Sequence, residues 1–160
     1  MAVTVEQIKT LREQTGAGIL DCKQALEDSS GDLDQAADVL RKKGFAQAVR
    51  RSGRATTEGV IEAYIHTGGR VGALVELGCE TDFVARTSEF KDLAHNIAMQ
   101  VAAMDPAYLD QEEMESEDSR PPAQVRLLQQ PFIKDNSRSV GVMVQEMAAK
   151  VGENVKLVRF

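Results

Sequence analysis

Phe83 stands beside Asp82 in the run Cys79-Glu80-Thr81-Asp82-Phe83-Val84-Ala85-Arg86, between an apolar strand-like segment and an apolar helix-like one. An aromatic ring with a carboxylate beside it, placed at a strand-to-helix junction, can project into a partner protein. The bland alternatives are that Phe83 packs beneath the following helix and that Asp82 caps the turn after it. Other groups capable of chemistry are few. Cys22 and Cys79 lie far apart and form no CxxC pair. Cys22 falls on an apolar helical face as a small core residue, and Glu80 beside Cys79 does not favour a thiolate. His95 has no neighbouring ligand set, and His66 in a Gly-rich turn reads, by position alone, as a solvated residue. No P-loop, nucleophile elbow or metal spacing occurs. An enzyme reading is left with one form, a thiol chemistry of Cys79 with His66.

The elements that must carry these residues follow from local signals. Thr4 with Gln7 makes a capping box, and Val5, Ile8 and Leu11 follow at helical spacing. Gly16 and Gly18 end that helix and open the next, whose apolar stripe is Ile19, Cys22, Ala25 and Leu26. Gly31 supplies a left-handed stop. Asp32 with Gln35 caps a third helix bearing Leu33, Ala36, Ala37 and Leu40, with Gly44 expected to close it. Three amphipathic helices in so short a span suggest a bundle like a ubiquitin-associated domain, too small to be more than marginally stable alone.

A basic connector is expected over 45–57, with Ser52 and Gly53 as breakers. Ile61, Ala63 and Ile65 then alternate on one strand face, and Val71, Ala73, Val75 and Leu77 on a second. His66-Thr67-Gly68-Gly69-Arg70 between them reads as a hairpin turn in which glycine supplies positive φ. Phe90, Leu93, Ala94, Ile97, Val101 and Met104 form a helix face ending before Pro106. Six acidic residues in 110–118 and Pro121-Pro122 predict a solvated loop over 110–122. Val140, Val144, Met147 and Val151 mark a last helix stopped by Gly152, and Val155 to Phe160 a final strand. The expected fold class is α+β: an N-terminal three-helix ubiquitin-associated-like bundle over 1–44, then a 58–160 core in which a small antiparallel sheet packs with helices.

Bulk properties narrow the function classes. At 160 residues, 42% hydrophobic and 28% charged, the chain is globular in composition. No apolar run approaches the roughly 20 residues of a membrane span, and no secretion signal opens the chain. With no disulfide pattern, a reduced cytoplasmic setting is expected, a plastid or other organelle being the alternative. The net charge of −6 argues against a dedicated nucleic-acid binder. Its distribution is uneven, since 41–54 holds Arg41, Lys42, Lys43, Arg50, Arg51 and Arg54 and no acid. An RNA-binding adaptor using this connector is the second reading, though it lacks the interleaved aromatics that stack on bases.

Two longer patterns carry a resemblance. Leu11-Arg12-Glu13-Gln14-Thr15-Gly16-Ala17-Gly18-Ile19-Leu20-Asp21-Cys22-Lys23-Gln24-Ala25-Leu26 and the quartet Thr81-Asp82-Phe83-Val84 are similar to the signatures of elongation factor Ts, in its short form. Tyr64-Ile65-His66-Thr67-Gly68-Gly69-Arg70-Val71-Gly72, Gln130-Pro131-Phe132 and Gly152-Glu153-Asn154 extend the likeness over most of the chain.

The family acts on elongation factor Tu as a guanine-nucleotide exchange factor. The resemblance therefore implies contact with the G domain of that GTPase, without direct nucleotide binding, cofactor, nucleic acid or covalent chemistry. It implies that Thr81, Asp82, Phe83 and Val84 reach the magnesium side, that His66 and Gly69 reach the phosphate loop, and that Arg12, Ile19, Leu20 and Lys23 dock. Ile19 and Leu20 are adjacent, so both cannot face a narrow helical stripe, and at least one is expected outside. A homodimer through the core is a further expectation. The interval between the Met104 helix and Gln130 is short beside the helical insertion of most members.

Overall fold

The computed structural model describes residues 3–110, 113 and 118–160. Six residues of the expected acidic loop, 111, 112 and 114–117, lie outside them. The chain opens with α1 (Val5–Thr15), α2 (Ile19–Asp28) and α3 (Leu33–Arg51). The capping box forms as expected: the Thr4 hydroxyl accepts from the Gln7 N–H, and the Gln7 side chain accepts from the Thr4 N–H. Gly16 ends α1 in the left-handed region, and the Asp32 carboxylate caps α3 by accepting from the Gln35 N–H at 2.9 Å. Leu11, Cys22, Ala25, Leu26, Ala36 and Leu40 bury into one small cluster.

Two expectations fail here, each for a tertiary reason. Val5 and Ile19, placed on apolar stripes by spacing, are exposed, because the cluster closes without them. Gly44 does not end α3, which runs on to Arg51 and stops at Ser52. A glycine inside a helix costs about 1 kcal/mol relative to alanine. Here its missing side chain admits a second helix: a Cβ at Gly44 would stand 3.0 Å from the Ala149 Cβ of α7 (Val140–Val151). Ala48, one turn further, is buried in the larger core. A single helix thus enters both clusters.

That larger core lies on a three-stranded antiparallel sheet of β1 (Glu58–Ile65), β2 (Gly72–Cys79) and β5 (Lys156–Arg159), with β2 central. Val75, Leu77, Cys79 and Leu157 turn inward against α5 (Ser88–Met104), which supplies Phe90, Leu93, Ala94 and Ile97. Ile61, Ala63 and Ile65 do share a face of β1, but it is the outer one, with Ile61 and Ile65 each 67% exposed. Val60, Glu62 and Tyr64 face inward instead. Glu62 finds a partner there, accepting from His95 Nδ1 of α5 at 3.0 Å, while Tyr64 meets the His95 ring edge-on.

After α5, residues Tyr108 and Arg126 form an isolated parallel bridge, beyond α6 (Pro122–Val125). A short 3-10 turn, Leu127–Gln129, leads into the small hairpin of β3 (Pro131–Phe132) and β4 (Asp135–Ser139). The Gln130-Pro131-Phe132 element has a packing role. Fully buried Gln100 donates to Gln130 Oε1 and to the Pro131 carbonyl, and accepts from the Ile133 N–H, satisfying its amide inside the core.

Buried Cys79 donates its thiol proton to the Thr81 carbonyl at 3.1 Å. Burial, and then the nearby Glu153 carboxylate, push this thiol above its ordinary value of 9.0. Two outcomes follow. Gly44→Val should overpack against Ala149 and lower the unfolding free energy by about 1–3 kcal/mol in urea titrations. A thiol held protonated by the fold stabilises fully below pH 9.0, and that contribution fades as pH climbs through the raised value. The alkaline decline in unfolding free energy should therefore be shallower in Cys79→Ser, which does not titrate there.

Candidate functional site

The candidate site starts where β2 ends. After Cys79 the chain passes through Glu80 and Thr81 into α4 (Asp82–Ala85), a single helical turn. Residues two apart on a helix point roughly 200° away from each other. Ala85 is buried in the core, so Phe83 must face solvent, and it is 82% exposed. Asp82 is not the cap. Thr81 holds that position, and Asp82 stands first in the turn, paired with Arg86 at 2.6 Å. Val84 is half-buried against the core, so the quartet divides into an anchored residue and a presented one. An exposed aromatic ring on a short, anchored turn, with a carboxylate alongside, is suited to inserting into a complementary pocket.

His66 lies at the other end of the sheet. Its N–H donates to the Val71 carbonyl and its carbonyl accepts from Gly69, closing the expected hairpin, with Gly68 and Gly69 both at positive φ. The exposed imidazole meets the Tyr64 hydroxyl through Nδ1 at 2.9 Å. Ile65 pairs with Gly72, and Glu58 pairs with Cys79, so the hairpin and the Phe83 turn cap opposite ends of one strand pair. Eight-residue strands span about 23 Å from first to last residue. One copy of the chain therefore presents His66 and Phe83 well apart. The same geometry removes the thiol reading, because Cys79 is buried and sits at the end away from His66.

Arg12, Ile19, Leu20 and Lys23, the four residues expected to dock, gather around the turn between α1 and α2, all exposed. Leu20 is 81% exposed and Ile19 also lies outside, so both members of the adjacent pair are presented. Lys23 lies one turn before Glu27, at 3.8 Å. The cations of the basic segment are partly neutralised within the chain. Arg41 pairs with Asp38, Lys43 with Asp21, and Arg54 with Glu80. A cleft of about 560 Å3 between the bundle and α7 is lined by several of these paired charges and lies apart from Phe83. Among the described residues, no cluster of His, Cys, Asp or Glu is placed to hold a metal ion, and no helix is long and apolar enough to cross a membrane.

Sequence reading singled out Gly152-Glu153-Asn154 only as part of a resemblance, and its place is informative. Gly152 stops α7 in the left-handed region. Glu153 then turns its carboxylate onto the β2–α4 junction, accepting from the Glu80 and Thr81 N–H groups at 3.1 Å each and from the Thr81 hydroxyl at 2.6 Å. Asn154 donates its backbone N–H to Glu80 and its side-chain amide to the Ser52 and Arg54 carbonyls. The usable signal was an acid and an amide straight after a helix-stopping glycine, on the chain leading into the strand beside β2.

A sequence model described as "Elongation factor TS" matches residues 6–121. Elongation factor Ts of Thermotoga neapolitana is 46% identical, over all of this chain and 95% of its own length. The Thermotoga maritima protein of that name is 44% identical, over all of this chain and 94% of its own. That of Carboxydothermus hydrogenoformans is also 44% identical, over 99% and 87%. The first alignment runs over 188 positions against a chain of 160, so that relative carries residues for which this chain has none. The Thr-Asp-Phe-Val turn, the glycine-bearing α1–α2 corner and the full-length likeness agree: the chain belongs to the elongation factor Ts family of translation elongation factors.

Proposed function

We propose that the chain binds the G domain of elongation factor Tu and speeds the release of GDP, so that GTP can enter. The observation that carries this reading is Phe83, 82% exposed on a one-turn helix beside Asp82. The α1–α2 corner, with Arg12, Ile19, Leu20 and Lys23, docks. Thr81, Asp82, Phe83 and Val84 press on the magnesium side, where a ring fills a pocket and a carboxylate disturbs the metal's water shell. His66 and Gly69 act on the phosphate-loop side. The grip of the GTPase on the nucleotide phosphates depends on that loop and on the magnesium charge. A bound conformation that loosens both releases GDP, and linkage makes nucleotide weaken the factor's binding by the same factor. No covalent step and no cofactor are involved, and the setting is the cytoplasm or an organelle with its own translation.

Internal pairing of Arg41, Lys43 and Arg54 weighs against the RNA-adaptor reading. The outer sheet face favours a second contact. Ile61, Ile65, Leu74, Val158 and Phe160 are exposed on or beside three adjoining strands, where a large apolar patch favours association. We propose that a second copy covers this face through an isologous contact.

Two measurements test these readings. Release of labelled GDP from elongation factor Tu should be accelerated by the wild type and slowed about tenfold or more in Phe83→Ala, while the unfolding free energy of that variant stays within about 0.5 kcal/mol. Full activity of Phe83→Ala would overturn the wedge. Sedimentation at micromolar concentration should give twice the 17.5 kDa chain mass, falling to the single mass in Leu74→Lys. A single mass for the wild type would overturn the dimer.

A further inference from the structure

We propose that Glu153 is a positioning residue for the Phe83 wedge, acting through Thr81; the inference rests on the reading of Phe83 given above. The turn that carries Phe83 has four residues and cannot hold its own direction, because a helix of one turn is far below the length that is stable alone. Its direction is set by the backbone of Thr81. That residue is held from every side. Its N–H and hydroxyl donate to the Glu153 carboxylate, and its carbonyl accepts from the Cys79 thiol and from the Ala85 N–H.

The Thr81 hydroxyl stands at the N-cap position yet makes no capping bond; its side chain turns to Glu153, to which it donates. Three donors on one carboxylate form a charge-assisted set, stronger than neutral hydrogen bonds of the same geometry. The neighbouring Asn154 extends the clasp to the end of α3 through the Ser52 and Arg54 carbonyls. Glu153 therefore ties the wedge to the same junction that ends the helix bearing the docking bundle. It reaches the presented ring only through Thr81 and the turn.

The test is GDP release from elongation factor Tu, titrated with factor to saturation, for the wild type, Glu153→Ala, Glu153→Gln and Phe83→Ala. Glu153→Ala should lower the maximal rate about tenfold, as expected when a group is displaced from its productive position. Its half-saturating concentration should change less than about threefold, since the docking corner is untouched. Glu153→Gln keeps an oxygen that can accept both N–H groups and should recover most of the rate. An unchanged maximal rate in Glu153→Ala, with Phe83→Ala impaired, overturns the positioning role alone. A Glu153→Gln variant as slow as Glu153→Ala and with weakened docking overturns it in favour of general loosening. Full activity of Phe83→Ala defeats the wedge reading itself. Amide hydrogen exchange on the unsubstituted chain needs no variant: Thr81 should exchange at least about tenfold slower than a free amide. Exchange at the free rate would overturn the proposal.

Discussion

A phenylalanine ring left in water can press on another protein only if the backbone beneath it does not yield. The Glu153 carboxylate, accepting from Glu80 and twice from Thr81, supplies that stiffness at the one point where β2 gives way to α4. Without those acceptors the two N–H groups would turn to water, and the junction would have no single direction. The surrounding core serves the same end. Ala85 is buried and Val84 half-buried behind the ring, and Cys79 closes the Thr81 carbonyl from within the sheet. Rigidity here is built from the inside, while the presented surface stays apolar and open.

A second constraint links this junction to the N-terminal bundle. Helix α3 contributes Ala36 and Leu40 to one hydrophobic cluster and Ala48 to the other, with Gly44 seated against Ala149 between them. No flexible segment divides the two clusters along this helix. Its far end is then caught by Asn154. The bundle is small enough that its own core would be marginal, so support from α7 and the clasp contributes to its order as well as to its orientation.

The features legible from sequence were those decided by neighbours along the chain. The Thr4–Gln7 box, the Asp32 cap, the left-handed glycines at 31 and 152 and the His66–Arg70 hairpin each depend on a few adjacent residues. Decisions made by distant partners were not legible. Gly44 carries the same letter whether it stops a helix or admits another, and only Ala149 distinguishes the two. Alternation in β1 defined two faces but not which one is buried. His95 and Tyr64 settled it by drawing the polar side inward, leaving the isoleucines outside. At the β2–α4 turn, periodicity could not tell a packed Phe83 from an exposed one, because the burial of Ala85 decides it. The quartet stood out by resemblance, and Glu153 became visible only when residues 73 apart in sequence met.

The two-stranded ladder between Phe83 and His66 also acts as a ruler. Each strand contributes eight residues with an unbroken register from Glu58–Cys79 to Ile65–Gly72. Since faces alternate with every residue, its reach can be lengthened or shortened only in even steps, roughly 7 Å at a time, and in both strands together. An odd step would roll the isoleucine face into the core and swing the imidazole to the opposite side. The distance between Phe83 and His66 is thus quantised, and a different span would require changing the ladder by whole pleats or adding another copy.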